Sequence, residues 1–211
     1  MSPILRLDPN GGPAADLSAA VVWLRAAGIV AFPTDTFYGL AVDPYSEQAV
    51  HDLFELKGRQ ARAALPLVAA SIAQVEAWCG SQSAANRRLA ESFWPGPLSL
   101  IFDAPPRVVV AVHGGARTVA IRVPAHPIAR AIAEAFGAPV TATSANRSGE
   151  APVTAARGLG AMAGDRRVLV IDAGETPGGV PSTIVDARSV PPKLIREGAV
   201  PWNRVLGSLK G

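Results

Sequence analysis

Short apolar runs, each closed by a proline, glycine or small polar residue, alternate along this chain with amphipathic stretches of helical period. A chain patterned in this way is confined to layered α/β architectures, because each half-buried element needs a partner of the other kind to cover it. Strands are expected at 29–32, 65–70, 98–102, 107–112, 118–123, 139–143, 168–171, 183–185 and 193–196. Helices are expected at 16–27, 46–57, 72–78, 84–93, 127–136 and 154–162. Gly28 and Gly137 stand as stop signals, Ser46, Ser71 and Thr154 as N-caps, and Pro95 follows the fourth helix. The hairpin-length gap between the runs at 107 and 118 predicts a mixed sheet, with helices on both faces, in one domain spanning 1–211.

Composition removes several classes. Of 211 residues 49% are hydrophobic, so a disordered chain is excluded. No apolar run reaches the length of a membrane span, and the first residues lack the pattern of a secretory signal. Cys79 is the lone cysteine, so no internal disulfide forms; a reducing, cytoplasmic setting is expected. The net charge of +3 includes only three lysines, Lys57, Lys193 and Lys210, among 20 basic residues. That balance permits nucleotide or RNA binding without requiring it.

Polar residues are concentrated at strand ends, where open α/β sheets bind ligands. Pro33-Thr34-Asp35-Thr36 follows one run, Ser144-Ala145-Asn146-Arg147-Ser148-Gly149 follows another, and a glycine-bearing loop from Gly174 to Ser182 precedes a third. Hydroxyls and backbone N–H groups in such loops suit carboxylate or phosphate oxygens. The plainer alternative is that Thr34, Asp35 and Ser144 only shape turns.

Cations sharpen the choice. Lys57-Gly58-Arg59 joins a point charge to a bidentate fork, as a phosphate clamp does, although cations at a helix C-terminus also offset its dipole. In Thr118-Val119-Ala120-Ile121-Arg122, strand periodicity places Thr118, Ala120 and Arg122 on one face. An arginine there must be paired or must face a cleft, since a lone buried charge costs several kcal/mol. Arg196 repeats the pattern beside Glu197. His51, His113 and His126 are scattered, so no dedicated metal site is expected. Neither a nucleophile elbow nor a P-loop occurs, and Gly158-Leu159-Gly160 follows a helical stretch rather than a strand.

Taken in order, Phe32-Pro33-Thr34-Asp35-Thr36-Phe37-Tyr38-Gly39-Leu40, Lys57-Gly58-Arg59, Phe93-Trp94-Pro95-Gly96-Pro97-Leu98, Val119 to Pro124, His126-Pro127, Ser144-Ala145-Asn146 and Ser182-Thr183-Ile184-Val185 resemble the YrdC-like threonylcarbamoyl-AMP synthase family. The resemblance extends over about 14–200 and is to the short, single-domain branch. It implies a twisted α/β YrdC-like fold around a central positively charged cleft. The implied reaction joins L-threonine, bicarbonate and ATP into threonylcarbamoyl-AMP and pyrophosphate, and its product modifies the tRNA adenosine next to the anticodon. Thr36, Arg122 and Ser182 would hold threonine. Lys57, Arg59, Thr118, Ser144, Asn146 and Arg196 would hold ATP, with Lys57, Arg59, Ser144 and Asn146 serving catalysis. Mg²⁺ would arrive with ATP, with Asp35 as a candidate to hold one of its waters. The expected partners are tRNA or tRNA-modification proteins.

The chain departs from the family at 60–63. Gln60 replaces a proline, Arg62 and Ala63 replace an acidic residue followed by a basic or amide one, and Arg62 is the candidate to restore the contact missing at Ala63. Two readings of other kinds compete with the synthase: an RNA-binding module on the same fold, and a carbamoyl-transfer domain acting on a carrier protein.

Overall fold

The computed structural model describes residues 3–8, 16–58 and 64–210. Eleven strands among them fall into two mixed sheets rather than the single sheet expected. The first contains β1 (Ile4–Arg6), β2 (Ile29–Pro33), β3 (Tyr38–Ala41), β8 (Thr143–Ser144) and β9 (Val168–Asp172), in the order β1-β9-β2-β3-β8. The second contains β4 (Leu67–Val68), β5 (Leu98–Asp103), β6 (Thr118–Arg122), β7 (Val140–Thr141), β10 (Thr183–Asp186) and β11 (Lys193–Arg196), in the order β11-β10-β5-β6-β4-β7. The helices are α1 (Ser18–Arg25), α2 (Glu47–Lys57), α3 (Ile72–Cys79), α4 (Ala84–Phe93), α5 (Val110–His113), α6 (Pro127–Phe136) and α7 (Trp202–Ser208).

Local chemistry explains the helix boundaries. Ser46, Ser71 and Ser83 each accept a hydrogen bond from the backbone N–H three residues on, satisfying a donor that the first turn leaves open. Helix α2 ends at Gly58, whose φ of +59° is left-handed and suits glycine. No helix among the described residues is long and apolar enough to cross a membrane.

Three local expectations are corrected. The run at 107–112 is not a strand: Val109 precedes the short α5 in extended backbone, and Gly114 ends it in the left-handed region. Val108 and Val112 are buried and α5 packs on α2, so tertiary packing overrides the β preference of the valines. The sheets are mixed because β2 runs antiparallel to β3 and β5 to β6, while β2–β9 and β4–β6 are parallel. Residues 156–164 form a 3-10 helix, Ala156–Gly164, kinked at Gly160, and Thr154 does not cap it. No strand is expected over Tyr38–Ala41, which forms β3.

The two sheets meet where the chain passes from one to the other. Val140–Thr141 pairs in the second sheet and Thr143–Ser144 in the first, with Ala142 at the crossing. Thr141 fixes the joint: its backbone N–H and hydroxyl both donate to the Val42 carbonyl, and its Oγ1 accepts from the Val42 N–H at 2.8 Å. Helix α6 packs on β2 of one sheet and on β4 and β7 of the other, and one buried apolar cluster includes residues from both.

Candidate active site

One face of the six-stranded sheet is left to a cavity of about 600 Å³. Strand alternation selects what it displays. On β6, Thr118, Ala120 and Arg122 line the cavity, whereas Val119 and Ile121 are buried. On β5, Ser99 and Ile101 face it while Leu98, Leu100 and Phe102 are buried. Ser182 and Ile184 repeat the alternation beside buried Thr183 and Val185. The five-stranded sheet supplies Tyr38, Gly39, Thr143 and Ser144 to the wall, and the turn before β3 supplies Thr34, Thr36 and Phe37.

That turn is built by its own hydroxyls. Thr34 Oγ1 donates to the Phe37 carbonyl at 2.7 Å and accepts from the Thr36 N–H at 3.2 Å. The Thr36 carbonyl in turn accepts from Gly178 N–H at 2.7 Å, which ties the glycine-bearing loop to the cavity. Gly178 holds φ at +71° with Thr154 close by, a backbone state that a side chain would strain. Tyr38 pins the same loop, donating its hydroxyl to the Gly174 carbonyl at 2.7 Å.

Six expected residues, Thr36, Thr118, Arg122, Ser144, Ser182 and Arg196, line this single cavity. The charged side chains among its described lining residues are both arginines, Arg122 and Arg196. Burial lowers the pKa of each guanidinium, and Arg196 is lowered further by the charge of Arg122. Two like charges beside one cavity favour an anionic occupant. Arg196 Nη2 donates to the Ser182 carbonyl at 2.7 Å, and Ser182 Oγ lies 3.0 Å from Ser99 Oγ. Ser99 escaped the sequence reading, although a serine inside an otherwise apolar strand is the same signal that singled out Arg122.

Arg122 already has an ionic partner. Its Nη1 donates to Asp35 Oδ1 at 2.6 Å, with both side chains 11% exposed. Asp35 Oδ2 accepts from the Ala125 N–H at 3.1 Å. Asp35 is therefore committed to Arg122 and to the main chain, and no carboxylate stands among the described lining residues. These residues do not fit a protein-held magnesium ion.

Lys57 and Asn146 lie behind the wall. The Lys57 side chain is 3% exposed, and its Nζ donates to the carbonyls of Ser144, at 2.5 Å, and Asn146, at 2.7 Å. The ammonium thus braces the loop that presents Ser144. Asn146 donates Nδ2 to the Arg147 and Glu150 carbonyls, and its buried Oδ1 has no hydrogen-bond partner. It lines a smaller adjoining pocket of about 190 Å³. Arg59, Gln60, Arg62 and Ala63 lie outside the described residues. Away from both pockets, His51, Asp52 and Glu55 cluster at the surface, where Arg167 pairs with the two carboxylates.

The sequence model of the Sua5/YciO/YrdC family, described as "Telomere recombination", matches residues 23–198. The chain belongs to that family. Among curated members it is 38% identical over 194 residues to "Threonylcarbamoyl-AMP synthase" of Pyrococcus abyssi, covering 90% of this chain and 57% of that protein. The protein of the same name from Stenotrophomonas maltophilia is 39% identical over 181 residues, covering 82% of this chain and 94% of its own length. The chain thus spans little more than half of the archaeal Sua5/YciO/YrdC relative and nearly all of the bacterial one. Among solved structures, Sua5 of Pyrococcus abyssi complexed with L-threonine superposes with a TM-score of 0.87 at 36% identity, over 98% of this chain and 61% of that one.

Proposed function

We propose that this chain is a threonylcarbamoyl-AMP synthase, making threonylcarbamoyl-AMP and pyrophosphate from L-threonine, bicarbonate and ATP. The observation that carries the reading is the convergence of Arg122, Arg196 and four hydroxyl side chains, Thr36, Thr118, Ser144 and Ser182, on one cavity. The likeness to a relative crystallised with L-threonine supports the choice of amino acid.

The chemistry needs no covalent enzyme intermediate. The neutral threonine amine attacks the carbon of bicarbonate or its dehydrated form, giving an N-carboxylate with loss of water from bicarbonate, or of the amine proton to solvent from the dehydrated form. An oxygen of that carboxylate attacks the α-phosphorus of ATP, the bond to the β-phosphate oxygen breaks, and its electron pair leaves with pyrophosphate. Catalysis is then positioning plus electrostatic stabilisation. Arg122 takes the threonine carboxylate, and Thr36 and Ser182 offer hydroxyls to the amino acid. Thr118, Ser144 and Arg196 face ATP, and Arg59 meets its phosphates. Asn146 serves the nucleotide from the smaller pocket, where its carbonyl is held by Lys57. Lys57 acts on the nucleotide both by its charge and by holding the Ser144–Asn146 carbonyls. Any Mg²⁺ comes as part of the nucleotide substrate.

The reading takes the chain as one catalytic domain working in the cytoplasm, its product passing to tRNA-modification proteins that acylate the adenosine next to the anticodon. Purified protein given ATP and bicarbonate is expected to release pyrophosphate only when L-threonine is added. Release that ignores threonine, or no release with and without those partner proteins, would overturn the assignment.

A further inference from the structure

We infer that Asp35 is a positioning residue, which holds the Arg122 guanidinium across the gap between the two sheets so that its remaining donors meet the anionic group of the ligand. The inference rests on the synthase reading for the identity of that ligand, not for the contact itself.

Asp35 sits in the turn between β2 and β3, in the five-stranded sheet, and Arg122 ends β6, in the six-stranded one. Among the described residues theirs is the ion pair that links the two sheets. The carboxylate is itself immobilised, because Oδ2 accepts from Ala125 N–H while Oδ1 accepts from Arg122. The segment offering that N–H is held in turn by Arg130, whose Nη1 donates to the Pro124 and Ala125 carbonyls at 2.8 and 2.7 Å. A guanidinium carries five donors in a rigid plane, so fixing one of them at Nη1 fixes the direction of the others. Without Asp35, Arg122 would be left nearly buried with Arg196 as its charged neighbour across the cavity, a repulsion that would turn it away from the ligand. Thr36 follows Asp35 directly and faces the same cavity, so one contact sets both groups.

The test is a double-mutant cycle on turnover with Asp35→Ala, Arg122→Ala and the pair, alongside Asp35→Asn, which keeps an oxygen for the guanidinium. Asp35→Ala is expected to raise the threonine KM by about 10- to 100-fold, the scale of a misplaced binding group, with kcat at saturating threonine little changed. Asp35→Asn falls between, and in the Arg122→Ala background the loss of Asp35 adds little. Additive effects, or a fall in kcat at unchanged KM, would overturn the inference. A second readout needs no ligand: nitrogen-15 spectra of the arginine side chains should show slowly rotating Arg122 Nη groups in the parent protein and fast rotation in Asp35→Ala, with Asp35→Asn between the two. Unaltered rotation in both variants would overturn the inference. Failure of threonine-dependent turnover in the parent protein would instead remove the synthase reading, and the spectra would still decide the role of Asp35.

Discussion

The ammonium of a lysine 3% exposed must have its donors met by the protein, and at Lys57 the carbonyls of Ser144 and Asn146 meet two of the three. Replacing Lys57 by Ala removes two charge-assisted hydrogen bonds and leaves the Ser144 carbonyl with the Asn146 N–H, so the loss should extend beyond catalysis to stability, by about 2–4 kcal/mol. For a chain of this size that lowers the melting temperature by roughly 5–15 °C. A Lys57→Ala protein that melts with the parent would contradict the bracing role. His126 gives a second prediction at this scale. Burial is the main cause that lowers its pKa below 6.5; Arg130 adds to the effect and Asp35 opposes it. The unfolded chain therefore binds the proton more readily, and the stabilising contribution of the neutral ring is complete above the unfolded value and lost as pH falls through the folded one. Urea unfolding at pH 7.5 and 5.5 should show the parent losing more stability than His126→Asn on acidification; equal losses would contradict this.

At the scale of elements, β6 was legible because an alternation of period two needs no knowledge of partners: Thr118, Ala120 and Arg122 share a face in sequence and in space. The helix caps at Ser46 and Ser71 were legible for the same local reason. The run at 107–112 was misread because its valines favour a strand in isolation, and only packing on α2 shows why they do not form one. The ion pair of Arg122 with Asp35 could not be read because 87 residues separate the partners and composition carries no register. The alternation of β6 predicts opposite outcomes at adjacent positions. Ala120→Leu projects into the cavity and should abolish substrate binding with little change in melting. Ile121→Ala removes a fully buried side chain and should cost about 2–5 kcal/mol, with substrate affinity retained in the folded fraction. Thermal melts combined with equilibrium binding of ATP separate the two; a cavity that tolerates Ala120→Leu at full affinity would refute its role.

For the whole molecule, the division into two sheets is the feature least visible in the sequence and the one that makes the cavity. Short apolar segments specify burial but not which sheet receives them, and the passage from β7 to β8 through Ala142 takes place within five residues, 140–144. The cavity lies beside that joint, lined by Thr36 and Ser144 from one sheet and its turns and by Arg122, Ser182 and Arg196 from the other. On the proposed reading, this arrangement brings groups for an amino acid and for a nucleotide within reach of one carbon unit. The most direct measurement follows that carbon: incubate the protein with carbon-14 bicarbonate, ATP and L-threonine, and separate the nucleotides. The account predicts label in a new adenylate that appears only when all three substrates are present, with one pyrophosphate released per adenylate. An adenylate formed without the label, or label incorporated without threonine, would contradict it.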